Sequence, residues 1–170
     1  MESIVPKTAQ TAPRAAVLAI GTELTQGQIT NRNATWISER LTANGFAVVH
    51  HDRPLIRTAL DFAAAQAELV VVTGGLGPTT DDFTRDCLAE WAGRPLEFRE
   101  SAWTKIVRLL EKRGIEVAPS NRVQCFFPTG AANLENTEGT ADGFRFSHVA
   151  SGSNRATEIL VLPGPPREGT

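Results

Sequence analysis

The residues best suited to chemistry lie where a short apolar run meets a helix-like pattern in mid-chain. Residues 70–84 read VVVTGGLGPTTDDFT, so a β-branched segment leads directly into a glycine-rich loop. Glycine permits positive φ angles and lets backbone N–H groups approach an anion closely. The helix start that follows would add the positive end of its dipole. We therefore expect this loop to bind a phosphorylated small molecule through Thr73, Gly74, Gly75 and Gly77.

The same loop is also compatible with a tight strand-to-helix turn that binds nothing. It is not a Walker loop, because no Lys-Ser/Thr pair follows it, and its glycine spacing is not the Rossmann fingerprint. Two adjacent carboxylates favour a ligand site, because a carboxylate beside a phosphate is repulsive unless a cation mediates. Mg²⁺ typically uses one or two carboxylates together with substrate phosphates. Helix capping is the better interpretation for Asp81, whereas a metal-binding role is favoured for Asp82.

A second polar loop follows the first apolar run and contains Glu23, which could act as a second metal ligand or a base. Gln28, Asn31 and Asn33 add neutral groups suited to phosphate, ribose or a base edge. Taken singly, each of these residues suits a helix cap or a solvated surface position equally well, and Asn31 is a good N-cap candidate.

Alternating strands and helices position the two loops. We predict strands at residues 16–20, 46–49, 69–72, 143–147 and 158–162, and helices at residues 31–44, 57–67, 82–91 and 101–113. Three strands and two helices in succession predict βαβ units, which form a parallel sheet with helices on both faces. Ligands of such sheets bind at the carboxyl ends of strands, and both polar loops leave strand ends there. Residues 118–142 give no clear pattern.

Composition limits the classes of protein to consider. The chain has 170 residues, which suits a single domain at residues 14–170 after a flexible extension at residues 1–13. A net charge of -2 gives no general attraction to nucleic acid or membrane surfaces. Cys87 and Cys125 have no metal-ligand spacing, so we expect buried reduced thiols and a cytoplasmic location.

A few further side chains have two interpretations each. The histidines, at positions 50, 51 and 148, have no partner at triad or metal-ligand spacing, so surface or capping roles are favoured. Arg85 could reach a phosphate or lie on the surface of its helix. Trp36 is expected to share the buried face of its helix with Ile37 and Leu41.

Four ordered segments together resemble a known family. They are IGTELTQGQITNRNATWISERL at residues 20–41, VVVTGGLGPTTDDFTRD at 70–86, NRVQCFFPTGAANLENTEGTADGF at 121–144 and ILVLPGPPRE at 159–168. This set resembles the amino-terminal domain of the competence/damage-inducible protein A (CinA) family. That domain is similar to the molybdopterin-binding fold of MogA, MoaB and the gephyrin G domain. The resemblance implies a three-layer α/β/α fold with a mostly parallel sheet.

The resemblance also implies roles for particular residues. In the relatives a TGGTG loop precedes an Asp-x-Thr segment, so Asp82 and Thr84 fall on that Asp and Thr, while Leu76 replaces the second Thr of the loop. Glu23 falls where the relatives carry an Asp. Residues 162–164, which include Pro163 and Gly164, match a final loop that lines the pocket.

The function implied is that of an ADP-ribose pyrophosphatase that depends on a divalent metal, Mg²⁺ or similar. Asp82 and Glu23 would hold the metal, and Asn33 and Thr84 would orient the substrate. Two alternatives remain, a molybdopterin-binding adenylyltransferase and a non-catalytic nucleotide-binding domain. The resemblance further implies a homo-oligomer, whereas it is the net charge and the lack of a long apolar run that lead us to expect neither nucleic acid nor membrane as partner. Longer members continue into an amidase domain, so this chain is either a stand-alone domain or part of a longer protein.

Overall fold

A computed structural model describes residues 13–20, 32–51, 56–80, 82–149 and 154–164 of the chain. Four α-helices are seen in this part: α1 (Arg32–Ala43), α2 (Ile56–Gln66), α3 (Thr84–Ala92) and α4 (Glu100–Lys112). The strands are β1 (Arg14–Ala19), β2 (Ala47–His51), β3 (Leu69–Thr73), β4 (Leu96–Phe98), β5 (Phe126–Pro128), β6 (Ala132–Leu134), β7 (Gly143–Val149) and β8 (Ala156–Leu162). A 3-10 helix occupies Pro119–Cys125.

Six strands form one sheet in the order β2-β1-β3-β8-β7-β6. The first four run parallel, whereas β7 and β6 are each antiparallel to their neighbours. β4 and β5 form a separate antiparallel pair. Because β1 and β3 have helices on both faces, they read as continuous apolar runs rather than alternating ones.

The two faces of the sheet are covered unequally. On one face Val70 and Val72 of β3 join a large core with residues from α2, α3 and α4. On the other face Val17 and Val71 pack with Ile37 and Leu41 of α1. The three-layer α/β/α fold with a mostly parallel sheet is thereby confirmed.

The layer built by α1 does not extend over the antiparallel edge of the sheet. There Arg145, Ser147 and Glu158 of β7 and β8 are exposed. This exposure explains the alternation of apolar and polar residues along β7, which is typical of a strand with one solvated face.

Three local predictions need correction. Trp36 is 58% exposed, because it lies about 100° around the helix from Ile37 and so points away from the face that meets the sheet. α3 begins at Thr84 rather than at residue 82, and its N-cap residue, Phe83, makes no side-chain capping bond. The region left without a pattern contains the 3-10 helix, β5 and β6, which are too short for a periodic signal.

A buried ionic cluster organises that same region. Asp142 is 2% exposed and accepts hydrogen bonds from Lys105 Nζ, from Asn133 Nδ2 at 3.0 Å and from Asn136 N at 2.9 Å. These bonds hold the segment before β7 against α4. Within the described residues, no helix is long and apolar enough to cross a membrane.

Candidate functional site

Three parallel strands end together at one edge of the sheet. Ala19 of β1 is paired with Thr73 of β3, and Thr73 is paired with Leu162 of β8. Beyond the strands, Ile20 N donates to Thr73 O at 2.8 Å, and Gly74 N donates to Leu162 O at 3.1 Å. The glycine loop therefore starts at the shared carboxyl edge, where open α/β sheets bind their ligands.

Gly74 is the position where the backbone is most tightly confined. Its φ is 93°, and an ideal Cβ there would lie 2.0 Å from the carbonyl oxygen of Ile20. No side chain fits, so glycine is required by the close approach of the β1 end. Because the Gly74 N–H is already donated to Leu162, this amide is not available to an anion, which corrects the set of phosphate donors expected from the sequence.

The amides that remain open belong to the next part of the loop. Neither Gly75 N nor Gly77 N has a hydrogen-bond acceptor among the described residues. Gly75 has a φ of 63°, and its carbonyl accepts a bond from Thr84 N at 3.2 Å. Leu76 is 1% exposed, so its side chain anchors the loop in the core between the two open amides.

Asp82 bends back over this loop. Its Oδ2 accepts hydrogen bonds from Thr79 N at 3.0 Å and from Thr79 Oγ1, and its own N–H donates to Thr79 O at 3.0 Å. A Cβ on Gly77 would lie 2.4 Å from the same Oδ2, so the carboxylate is directly over that glycine. The carboxylate braces the loop and does not cap α3. Its Oδ1 makes no hydrogen bond within the described chain and is available as a ligand atom.

Thr84 and Arg85 lie under the loop. Thr84 is fully buried, and its Oγ1 has no hydrogen-bond partner among the residues that the structure describes. A Cβ on Gly75 would lie 2.1 Å from that oxygen. The Thr84 hydroxyl therefore lies directly beneath Gly75 and packs against the loop, and its role in orienting the substrate stays a prediction.

Arg85 is 3% exposed, so the alternative of a helix-surface position is wrong. Its Nη1 donates to Leu76 O at 2.9 Å, whereas Nε and Nη2 have no hydrogen-bond partner in the part of the chain that the structure describes. Burial lowers the pKa of this guanidinium to about 10, an effect opposed by Cys125 and by Asp82, so it stays protonated at neutral pH. The helical spacing to Leu88 and Ala89, three and four residues further on, is the signal that could have predicted burial.

The remaining predicted site residues divide into two groups. Pro163 and Gly164 lie beside the loop, and a Cβ on Gly164 would be 3.6 Å from Gly74 Cα. Asn33 lies near the start of α1, where the structure describes its backbone but not its side chain. Glu23 and Gln28 lie outside the described residues. Within the described part of the chain, no group of three or more His, Cys, Asp or Glu side chains could hold a metal.

His148 has a structural role. Its ring lies 4.1 Å from that of Trp91, and burial lowers the pKa of its imidazole, with Arg94 adding to the effect. Trp91 Nε1 in turn donates to Asp61 at 2.7 Å. These contacts join β7, α3 and α2. The side chains of His50 and His51 are outside the description.

Comparison with known proteins gives a consistent result. Residues 16–170 match the family model described as "Probable molybdopterin binding domain". A CinA-like protein of Parasynechococcus marenigrum is 41% identical over 157 residues, which are 89% of this chain and 36% of that protein. The crystal structure of the protein CinA from Thermoplasma acidophilum superposes with a TM-score of 0.72 and 32% identity, covering 94% of this chain and 92% of that one.

MoaB from Pyrococcus furiosus, named as a tungsten cofactor synthesizing protein, shares the fold. It superposes with a TM-score of 0.52 at 17% identity and covers 92% of this chain and 85% of that one. The chain spans just over a third of the length of the curated relatives that it matches. The family match over most of the chain, the motifs and the CinA superposition agree. The chain therefore belongs to the CinA family, in which it corresponds to the molybdopterin-binding-like domain.

Proposed function

We propose that this domain hydrolyses the pyrophosphate group of a nucleotide diphosphate-sugar, with ADP-ribose as the substrate to test first. The observation that carries the proposal is the pair of open amides at Gly75 and Gly77 beside the Asp82 carboxylate, where three parallel strands end. The resemblance to the CinA amino-terminal domain supplies the choice of substrate.

The loop has the properties that an anion requires. The amides of Gly75 and Gly77 have no acceptor within the described chain, and α3 begins directly after the loop with the positive end of its dipole. Such preorganised donors stabilise the charge that develops on phosphoryl oxygens in the transition state.

The Asp82 carboxylate would repel that same anion unless a cation lay between them. Oδ1 of Asp82 is a hard oxygen atom without a hydrogen bond in the described chain, so it fits a divalent metal such as Mg²⁺. Glu23, at the carboxyl end of β1 in sequence, is the proposed second ligand. When bound, the metal would polarise a phosphoryl oxygen and lower the pKa of a coordinated water.

In the proposed reaction a water oxygen bonds to one phosphorus atom while the bond from that phosphorus to the bridging oxygen breaks. The products are AMP and ribose phosphate, and the water proton is released to solvent or to a base, for which Glu23 is the candidate. Asn33, Gln28 and the Pro163–Gly164 segment would orient the substrate around the loop.

The test is to incubate the protein with ADP-ribose and Mg²⁺ or Mn²⁺ and to separate the products by chromatography. Asp82→Asn is the informative variant, because an asparagine side-chain oxygen can still accept the two bonds from Thr79. We expect it to lose turnover by about 100-fold or more, the size typical of removing one preorganised charge-stabilising group. Arg145→Gln, on the exposed face of β7, serves as the control and should leave turnover unchanged.

A second candidate function is molybdopterin binding, which the description of the matching family model favours, together with the adenylyl transfer that the resemblance to MogA and gephyrin implies. The same amides would then hold the pterin phosphate. Leu76 argues against it, because the relatives place a threonine there and this chain buries an apolar side chain instead. Formation of an adenylylated pterin from ATP would favour this candidate, whereas calorimetric nucleotide binding without any product would favour a non-catalytic domain.

A further inference from the structure

We infer that Arg85 is a positioning residue of the anion site, which aims the Gly77 amide and supplies the positive charge beneath the glycine loop. The inference deepens the proposed function and rests on it only in assuming that an anion binds this loop.

The burial of Arg85 has no explanation in an ion pair. Arginine is almost never fully buried unless it is paired, yet Arg85 is 3% exposed. Among the described residues, no carboxylate lies within ion-pair distance of its guanidinium. Within the described chain, the guanidinium makes one hydrogen bond, to Leu76 O, and Nε and Nη2 have no partner.

Stability alone would favour a neutral side chain at this position. A buried charge with unsatisfied N–H groups is costly, whereas a neutral amide can donate to a carbonyl at far smaller cost. The nearby Phe127 ring, 5.8 Å from the guanidinium carbon, offers only a weak cation–π contact. Strongly perturbed groups of this kind concentrate at functional sites.

The bond to Leu76 O determines the direction of one open amide. The carbonyl of Leu76 and the N–H of Gly77 belong to the same peptide group, and the described chain has no cis peptide. In a trans peptide these two groups point in opposite directions. By holding the carbonyl from beneath, Arg85 turns the Gly77 N–H away from the core and polarises it, as a chain of hydrogen bonds does.

The same geometry gives the size of the charge effect. An anion accepting from Gly77 N–H would lie roughly 8 Å from the guanidinium, across one peptide group and two hydrogen bonds. At an effective dielectric constant of about 20, removal of one charge at that distance weakens binding about 30-fold.

The experiment measures calorimetric binding of inorganic pyrophosphate, in the presence of Mg²⁺ at pH 6.5, to the natural protein and to Arg85→Gln and Arg85→Lys. Glutamine retains a neutral donor and should bind at least about 30-fold more weakly, because pyrophosphate carries more than one negative charge, whereas lysine retains the charge and should bind within about threefold of the natural protein. Without ligand, Arg85→Gln should unfold at the same or a higher urea concentration, because an unpaired buried charge has been removed. A purely structural arginine would behave in the opposite way, with lower stability and unchanged affinity.

Arg99→Gln is the matched control. Arg99 also donates to a backbone carbonyl, that of Ala131, and its guanidinium carbon lies 4.7 Å from the Phe127 ring, but it is paired with Glu97 at 3.0 Å. We expect pyrophosphate binding to change less than threefold in this variant.

Three results would each overturn the inference. The first is that Arg85→Gln binds pyrophosphate as tightly as the natural protein does, and the second is that Arg85→Gln and Arg99→Gln weaken binding equally. The third is that the natural protein does not bind pyrophosphate. Because the readout is binding, absence of ADP-ribose hydrolysis would refute the proposed reaction without touching the role of Arg85.

Discussion

Replacing Gly74 by alanine separates the steric fit of the loop from the general cost of a positive φ. A Cβ at this position would lie 2.0 Å from Ile20 O, far inside any contact that a real Cβ makes. The Ile20 carbonyl cannot withdraw freely, because Ile20 N is bonded to Thr73 O at the end of the sheet. The loop, the end of β1 or both must therefore shift in the alanine variant.

The magnitude follows from two contributions. A left-handed backbone costs an alanine about 1–2 kcal/mol, and forcing extra volume into a packed region costs about 1–3 kcal/mol. We therefore expect Gly74→Ala to lower the free energy of unfolding by about 2–5 kcal/mol. Gly93→Ala is the control, because Gly93 has a φ of 63° and a Cβ added there would meet no atom of the described residues within 4 Å. Only the backbone cost of about 1–2 kcal/mol then applies.

Urea unfolding of both variants measures the difference, and an unchanged m-value would show that the compactness of the two end states is preserved. The expected difference between the variants is about 1–3 kcal/mol. If Gly74→Ala and Gly93→Ala were equally stable, the close contact between Gly74 and the Ile20 carbonyl at the end of β1 would be contradicted. The Gly74 N–H bond to Leu162 would then need reconsideration too.

Three further predictions concern the surroundings of the site. Asp142→Ala should lower the free energy of unfolding by about 3–5 kcal/mol, because Lys105 is left largely buried without its partner. Arg145→Gln, at an exposed ion pair, should lower it by less than about 1 kcal/mol. Equal losses of stability in the two variants would contradict the burial of the Asp142 cluster. The pKa of Glu68 lies below its ordinary value of 4.5, chiefly because its carboxylate accepts a hydrogen bond from the Arg14 N–H. Its stabilising contribution is therefore present above pH 4.5 and lost in acid, so Glu68→Gln should reduce the loss of unfolding free energy at acid pH. The same loss in the variant and in the natural protein would count against the bond. Burial raises the pKa of the Cys125 thiol to about 11, so iodoacetamide at pH 8 should label Cys125 only after unfolding. Peptide mass spectra measure the labelling, and rapid labelling of the native protein would show that the Cys125 thiol is accessible.

The order of strands and helices in the first half of the chain was predictable from the sequence. β1 and β3 are short apolar runs because helices cover both faces, and α1 and α2 end within one or two residues of the predicted bounds. β4, β5 and β6 have three residues each, so a period of two cannot be recognised in them. Their positions depend on contacts with distant strands.

The site was predictable by residue type but not by hydrogen-bond assignment. Glycine at residues 74, 75 and 77 indicates a backbone cradle, yet only the bond from Gly74 to Leu162, residues far apart in sequence, shows which amides stay open. The bracing of the loop by Asp82 through Thr79 also depends on the conformation of the turn. The burial of Arg85 did leave a signal, since it shares a helical face with Leu88.

Hydrolysis of ADP-ribose, followed by ³¹P NMR in the presence of Mg²⁺, tests the proposed reaction at its pyrophosphate bond. We expect the natural protein to convert the pyrophosphate signals into those of AMP and ribose phosphate, and Asp82→Asn to do so at least about 100-fold more slowly. Absence of AMP with every divalent ion supplied, or full turnover by Asp82→Asn, would contradict the proposal.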